Sequence, residues 1–458
     1  MKEGKDFFAV YWKTMTIKDE VQLMFKTYEE ALDWIHGRKI FGMKPGLKRM
    51  DWMLEKLGSP QEKIKAIHVA GTNGKGSTVT FLRNMLEANG QTVGTFTSPY
   101  IETFNERISV NGVPISDEEI IRLANVVYPL AYELEETELD GPTEFEVITA
   151  MMFIYFGEGH ADVVVIEVGL GGLLDSTNVV TPVVSVITTI GLDHMQVLGE
   201  TLAEIASQKA GIIKPNVPVV AGRMPNEALQ VIQTVAKKNE SSIKLFGEDY
   251  WSSKCQTLPT WGEQFTFEDE HIYLNQIQIK MLGQHQIENA MVALEALQIY
   301  CHKTNLELNH EATRRGLKLA FWPGRMEKIS DSPMIVLDGA HNEPAIRRLI
   351  ETINADFKQQ DVYLIFAVLQ DKAVNSMLSL LKELANVHIT LTSFANPRAV
   401  KIEELESYAI SGIKVKEYWQ EAVADIIREM DENDIILITG SLYFISEVRQ
   451  LLLKSTDE

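Results

Sequence analysis

The stretch Ile64 to Ser77, IKAIHVAGTNGKGS, constrains the fold of this chain more than any other. A short run rich in Ile and Val ends at Ala70, turns through glycines to Lys75 and Ser77, and continues as TVTFLRNMLEANG, apolar at helical spacing until Gly90. That pattern predicts strand, phosphate loop and helix in succession. A loop that wraps phosphate oxygens must bring backbone N–H groups against the anion, which requires residues without a Cβ at several positions. Gly71, Gly74 and Gly76 meet that need, with Thr72 and Asn73 between the first two. The helix behind them adds unpaired first-turn N–H groups and the positive end of its dipole, and Lys75 adds a full charge. The pattern departs from the plain Walker loop, G-x-x-x-x-G-K-[ST], because Gly76 stands where the hydroxyl is expected. A generic kinase or GTPase therefore fits poorly.

The 458 residues, 45% hydrophobic and 23% charged, predict a soluble globular protein of two or three domains. Cys255 and Cys301 offer neither metal spacing nor a disulfide framework, so a reducing cytoplasm is the expected compartment. No apolar run reaches membrane-spanning length, and the opening MKEGKDFFAVYWK lacks the apolar core of a signal peptide, so no membrane partner is expected. Met15 and Met24 also suit as start positions. A net charge of −21 argues against nucleic acid as a partner. Small anions are not excluded, since local loops and metal ions invert the sign of a pocket.

Thr27 to Ile35 and Met43 to Leu57 have the pattern of amphipathic helices leading into the first strand. A second strand, Thr92 to Phe96, delivers TSPYIETFNERI at the strand end, the usual place for ligand contacts in an open α/β sheet. Its plain reading is a surface loop with a satisfied Arg107. Ser116 to Thr137 opens with a capping box completed by Glu119, and Phe145 to Phe156 is a further apolar helix. Ala161 to Val168 is nearly continuous β-branched sequence, as in a parallel strand covered on both faces. Glu167 interrupts it, and a carboxylate there is costly unless paired or bound to metal. The strand Val183 to Thr188 ends in TTIGLDHM, which places Asp193 and His194 beyond the same sheet edge. The helix Thr201 to Ala210 carries Lys209 near its end, where a lysine ordinarily suits the dipole at the surface.

Val217 to Ala221 and the helix Asn226 to Asn239 add a βα unit, and Ser241 to Met281 reads as a small β layer of short strands. GQHQIENAMVALEAL restores a helix with Asn289 near its beginning, and Asn309 to Leu319 closes the first domain. AFWPGRME carries the Pro-Gly pair of a linker, which divides the chain into residues 1–320, a hinge at 321–325, and residues 326–458. Beyond it strands and helices alternate again, from Met334 to the helix that begins at Leu442, as a second and smaller doubly wound domain. DGAHN, Asp338 to Asn342, sits at a strand end. It reads either as a turn with a helix cap at Asn342 or as a phosphate or ribose contact closing over the nucleotide.

GTNGKGS, TSPY with FNERI, EVGLGG with DSTN, GLDHM, QKAGI, GQHQIENA, PGRME and DGAHN follow one another in an order that resembles the folylpolyglutamate synthase and dihydrofolate synthase family of the Mur ligase superfamily, from about Tyr28 to Phe444. The resemblance implies an α/β protein: a P-loop N-terminal domain with a mainly parallel sheet plus a small β layer, then a smaller Rossmann-like C-terminal domain. It implies an ATP-dependent ligase adding L-glutamate to the γ-carboxylate of a folate through an acyl phosphate, with dihydropteroate as a further acceptor to be tested. Gly71, Thr72, Asn73, Gly74, Lys75, Gly76 and Ser77 would hold the ATP phosphates, and Asn289, Arg325, Asp338 and His341 would contact ATP at the domain interface. Ser98 and Glu167 would ligate one Mg2+ and His194 a second, with Lys209 matching the lysine carbamylated in this family. Lys75, His194 and Lys209 are thus the implied catalytic set. ATP, two Mg2+ ions and a monovalent cation such as K+ are the implied cofactors, and the implied state is a cytoplasmic monomer. The TSPYIETFNERI loop would border the folate pocket. Leu173 departs from the family pattern, which has arginine there. The rival readings are a cell-wall amino-acid ligase on the same scaffold, disfavoured by FNERI and GKGS, and a nucleotide-hydrolysing regulatory or transport ATPase.

Overall fold

The computed structural model describes residues 24–42, 44–409 and 412–454; the N-terminal stretch with Met15, and Met43 as a helix start, lie outside the described residues. The first sheet contains β1 (Ala66–Ala70), β2 (Val93–Phe96), β3 (Ile108–Val110), β4 (Val113–Pro114), β5 (Val163–Glu167), β6 (Val184–Ile187), β7 (Val219–Ala221) and β8 (Ile243–Leu245). Its order is β4-β3-β2-β5-β1-β6-β7-β8. From β2 to β8 the neighbours run parallel, and β3 and β4 add an antiparallel edge.

β1, β2, β5 and β6 are buried along their whole lengths. Alternate residues face opposite layers, as the two-residue period of a strand requires. Ile67 and Val69 join a core with the helices Lys75–Ala88 and Gln284–Thr304, whereas Ala66, Val164 and Ile166 join one with Asp117–Glu135 and Glu144–Gly157. A further cluster packs Leu202–Ala210 and Asn226–Lys238 beside β6 and β7. The register sets Glu167 opposite Val69 and Ile187 opposite Ala70, so the ends of β5 and β6 flank the start of the glycine loop.

Two sequence expectations change here. The stretch beginning at Ser241 does not form one separate layer: β8 extends the main sheet in parallel. Only β9 (Tyr250–Thr257), β10 (Glu263–Asp269) and β11 (Tyr273–Ile279) make the small antiparallel sheet. The box at Ser116 is half formed, since Ser116 accepts from Glu119 N while the Glu119 carboxylate turns to Arg122, 2.7 Å away. The guanidinium, itself held by Glu158 at 2.7 Å, outcompetes the backbone for that carboxylate.

The second large sheet contains β12 (Glu327–Asp331), β13 (Met334–Asp338), β14 (Val362–Ala367), β15 (Val387–Leu391), β16 (Lys414–Val415) and β17 (Ile435–Gly440), in the order β12-β13-β17-β14-β15-β16. All its pairs are parallel except β12 with β13. Leu364 and Phe366 face the helices Glu343–Asp356 and Val374–Leu381, and Ile365 faces Trp419–Glu429 and Leu442–Lys454. Both faces are covered, the doubly wound arrangement. β12 had no counterpart in the sequence reading.

Candidate active site

The glycine loop departs from β1 under tight steric limits. A Cβ on Gly71 would lie 1.9 Å from Thr188 Oγ1, and one on Gly74, at φ +85°, would lie 2.2 Å from Asn289 Oδ1. Neighbouring strand ends hold the loop. Thr72 N donates to Thr189 O at 2.8 Å, Asn73 N to Thr189 Oγ1 at 3.1 Å, and Thr188 Oγ1 to Asn73 O at 2.6 Å. Thr188 and Thr189 were passed over in the sequence; their signal was a TT pair where a buried strand meets the loop edge. A Cβ on Gly76 would meet Trp322 Nε1 at 2.9 Å. The missing Walker hydroxyl thus coincides with room for an indole from the linker.

Lys75 Nζ donates to the carbonyls of Gly71 at 3.1 Å and Thr72 at 3.3 Å and stands 4.0 Å from Glu167 Oε1. Burial pushes the Glu167 carboxyl up to about 7, against the opposing field of Lys75 and the Ser98 N–H at 3.4 Å. Lys209 is not a surface charge: it is 4% exposed, and its Nζ donates to Gly71 O at 3.0 Å. Burial, then the nearby Lys75, bring its amine down to about 7. His194, in the left-handed region at φ 50°, is lowered chiefly by burial.

The second domain meets the first across this loop. Asn342 and Asn73 exchange amide hydrogen bonds of 3.1 and 3.0 Å, and Asn342 Nδ2 also donates to Asp193 Oδ2 at 2.9 Å. Lys372 Nζ donates to Asp193 Oδ1 at 2.9 Å. Burial works to raise the Asp193 pKa, but Lys372 and His194 outweigh it and hold the carboxyl well below the usual range. Asp338 accepts from Met326 N and Ala340 N, each at 3.0 Å, and Asn342 caps its helix by accepting from Ala345 N at 3.0 Å. DGAHN is therefore a capped turn and part of the cleft at once. His341 Nδ1 faces Gly339 O at 2.8 Å, and burial draws the imidazole down to about 4.

A cleft of about 470 Å³ gathers every site residue that the resemblance implies: Gly71 to Ser77, Ser98, Glu167, His194, Lys209, Asn289, Arg325, Asp338 and His341. Among the described residues no three His, Cys, Asp or Glu cluster as a metal set. For a hard cation the cleft wall offers the Ser98 hydroxyl and the Glu167 carboxylate as side-chain oxygen donors. The carboxylate fits Mg2+, being an oxygen donor whose buried charge the 4.0 Å contact with Lys75 compensates only in part. Leu173 lies outside this cleft and is 43% exposed. Lys372 was missed in the sequence, and Asn342 was read there only as a helix cap, because the contacts both make with Asp193 reach a partner in the other domain.

Residues 118–297 match the Mur ligase middle domain and residues 324–442 the Mur ligase glutamate ligase domain. The dihydrofolate synthase/folylpolyglutamate synthase of Bacillus subtilis is 47% identical over 94% of this chain and 100% of its own length. The chain belongs to the folylpolyglutamate synthase/dihydrofolate synthase family of Mur ligases. The folylpolyglutamate synthase of Lacticaseibacillus casei is 38% identical over 93% of this chain and 99% of its own. Among solved structures, Mycobacterium tuberculosis folylpolyglutamate synthase complexed with ADP superposes with a TM-score of 0.85 at 28% identity, covering 93% of this chain and 99% of that one. A complex described as FPGS with AMPPCP and folate superposes with a TM-score of 0.82 at 36% identity, covering 93% and 100%. This membership favours the folate reading over a cell-wall ligase.

Proposed function

We propose that this protein uses ATP to join L-glutamate to the γ-carboxylate of a folate, with the glutamylation of dihydropteroate as a second reaction of the same site. The observation that carries this is the single cleft in which the glycine loop and Lys75 of the first domain meet Asp338, His341 and Arg325 of the second. A carboxylate is a poor acyl donor in water. In the proposed first step a folate carboxylate oxygen attacks the γ-phosphorus of ATP, the bond to the β–γ bridging oxygen breaks, and ADP leaves an acyl phosphate. The amine of L-glutamate then attacks the acyl carbon and loses a proton, and the C–O bond breaks to release phosphate.

Neither step needs an enzyme nucleophile; positioning and charge neutralisation carry it. The loop N–H groups and the positive helix end receive the phosphates, and Lys75 leaves its two carbonyl partners to follow the transferring group. Asn289, Arg325, Asp338 and His341 hold the nucleotide between the domains. Two Mg2+ ions would neutralise charge on the phosphates, one held by Ser98 and Glu167 and the second by His194 and a carbamylated Lys209. The buried Lys209 suits carbamylation, since burial favours its neutral amine, whose lone pair attacks CO₂ and which gives up a proton to leave a carbamate, an oxygen donor. Phe321 to Arg325 acts as the hinge between an ATP-binding unit, residues 1–320, and a glutamate-ligase unit from residue 326.

The test is phosphate release with ATP and either tetrahydrofolate or dihydropteroate, each with and without L-glutamate. Release that requires folate and glutamate together supports the ligase. Hydrolysis indifferent to both acceptors and to glutamate would return the protein to the nucleotide-hydrolysing class.

A further inference from the structure

Arg107 does not have the satisfied surface setting read from the sequence. It closes the short turn Phe104–Arg107, and its carbonyl accepts from Thr97 N at 3.1 Å, which returns the loop to the residue before Ser98. Its guanidinium lies 5.2 Å over the Tyr100 ring and 5.6 Å over the Phe104 ring. Nε is buried without a hydrogen-bond partner, and Arg107 forms no ion pair among the described residues. The carboxylates within its field have other cations: Glu144 is 3.1 Å from His36 and 3.5 Å from Lys39, and Glu167 is 4.0 Å from Lys75.

A guanidinium stays protonated when buried, and an unpaired buried charge is costly. Such a group, with its faces on aromatic rings, leaves its planar edge for a carboxylate. Tyr443 of the second domain and Glu167 at the end of β5 are both within its electrostatic reach, and the second domain touches the same loop, Ser446 Oγ donating to Ile101 O.

Under the proposed function, a folate ends in glutamate and brings two carboxylates. The γ-carboxylate goes to the phosphate, and the α-carboxylate needs a cation a few atoms away. Pteroates end in a benzoate carboxylate alone, which is itself the group to be activated. We propose that Arg107 binds the α-carboxylate of the terminal glutamate of the folate, and thereby sets the preference of this site for glutamylated folates over pteroates. This rests on the folate ligase reading.

The experiment is calorimetric binding of tetrahydrofolate and of tetrahydropteroate to the full chain in the presence of AMPPCP, for wild type, Arg107→Met and Arg107→Lys. A charge-assisted contact gives wild type a preference for tetrahydrofolate of roughly ten- to a hundredfold. Arg107→Met should close that gap by weakening tetrahydrofolate far more than tetrahydropteroate, and Arg107→Lys should restore part of it. A second arm needs no variant: tetrahydrofolate whose α-carboxylate is a carboxamide should lose the same factor against wild type. Equal weakening of both ligands by Arg107→Met, or a carboxamide that binds as well as its parent, overturns the assignment. Wild type that binds neither ligand overturns the ligase reading instead, a result read before any variant is made.

Discussion

Lys372→Met separates domain closure from stability. The Lys372–Asp193 pair spans the two domains at 2.9 Å, and both side chains are 11% exposed. Removing one partner of a buried pair costs about 3–5 kcal/mol, because the other charge is left uncompensated. Asp193 retains the Asn342 amide at 2.9 Å, which argues for the lower end. Asp193 returns to water when the domains part, so the cost falls on closure and not on folding. The expected result is a fall in kcat/KM of roughly 10²-fold, from about 3 kcal/mol, with little change in Tm. Steady-state glutamate ligation and a thermal melt measure the two quantities, and a cycle with Asp193→Asn isolates their coupling. Near-normal kcat/KM with a lowered Tm, or a coupling near zero, would refute the reasoning.

Three further outcomes follow from the geometry. Gly74→Ala should destabilise the first domain by about 1–3 kcal/mol in a urea titration and weaken AMPPCP binding, because φ +85° is left-handed and Asn289 Oδ1 lies 2.2 Å from the new Cβ; an unchanged midpoint counts against the loop geometry. Lys209→Ala should lose turnover and regain part of it when a short carboxylate is added to the buffer, and equal stimulation of wild type would count against a carbamate. His68, fully buried with its Nε2 2.8 Å from Thr177 Oγ1, has its pKa lowered from 6.5 to about 3 by burial and then by Lys214. Above 6.5 neither state takes the proton; below it the unfolded chain does and the fold does not, so stability falls as pH drops toward 3. Between pH 7 and 5 this residue should remove about 2 kcal/mol, and His68→Asn should flatten that slope; parallel slopes would exclude the histidine as its source.

The strands β1, β5, β6, β13 and β14 were legible because each is a short apolar run buried on both faces, a pattern that needs no knowledge of its neighbours. The edge strand β12 was not, since EKISD has only half-buried residues between Glu327 and Asp331 and gains its place from pairing antiparallel with β13. β8 was legible as a strand but not as part of the main sheet, because pairing partners are a property of the folded chain. The same division runs through the site. Glu167 announced itself as a charge in an apolar run, whereas Lys209 at a helix end had an ordinary surface reading that only packing overturned.

The sequence by itself determined the chemistry of the phosphate loop. Its glycines and lysine are local requirements of wrapping an anion at a helix start, and no other part of the chain is needed to state them. The tertiary structure decided what that loop is coupled to. It set Thr188 and Thr189 on Asn73, Trp322 on Gly76, Asn342 and Lys372 across the domain boundary, and Arg107 on two rings without a counter-charge. These are contacts between residues distant in sequence, except for Arg107 on its own loop, whose missing partner shows only when every carboxylate around it has been placed. Hydrogen bonds and desolvation act over a few ångströms of space, and that distance exists only once the chain has folded.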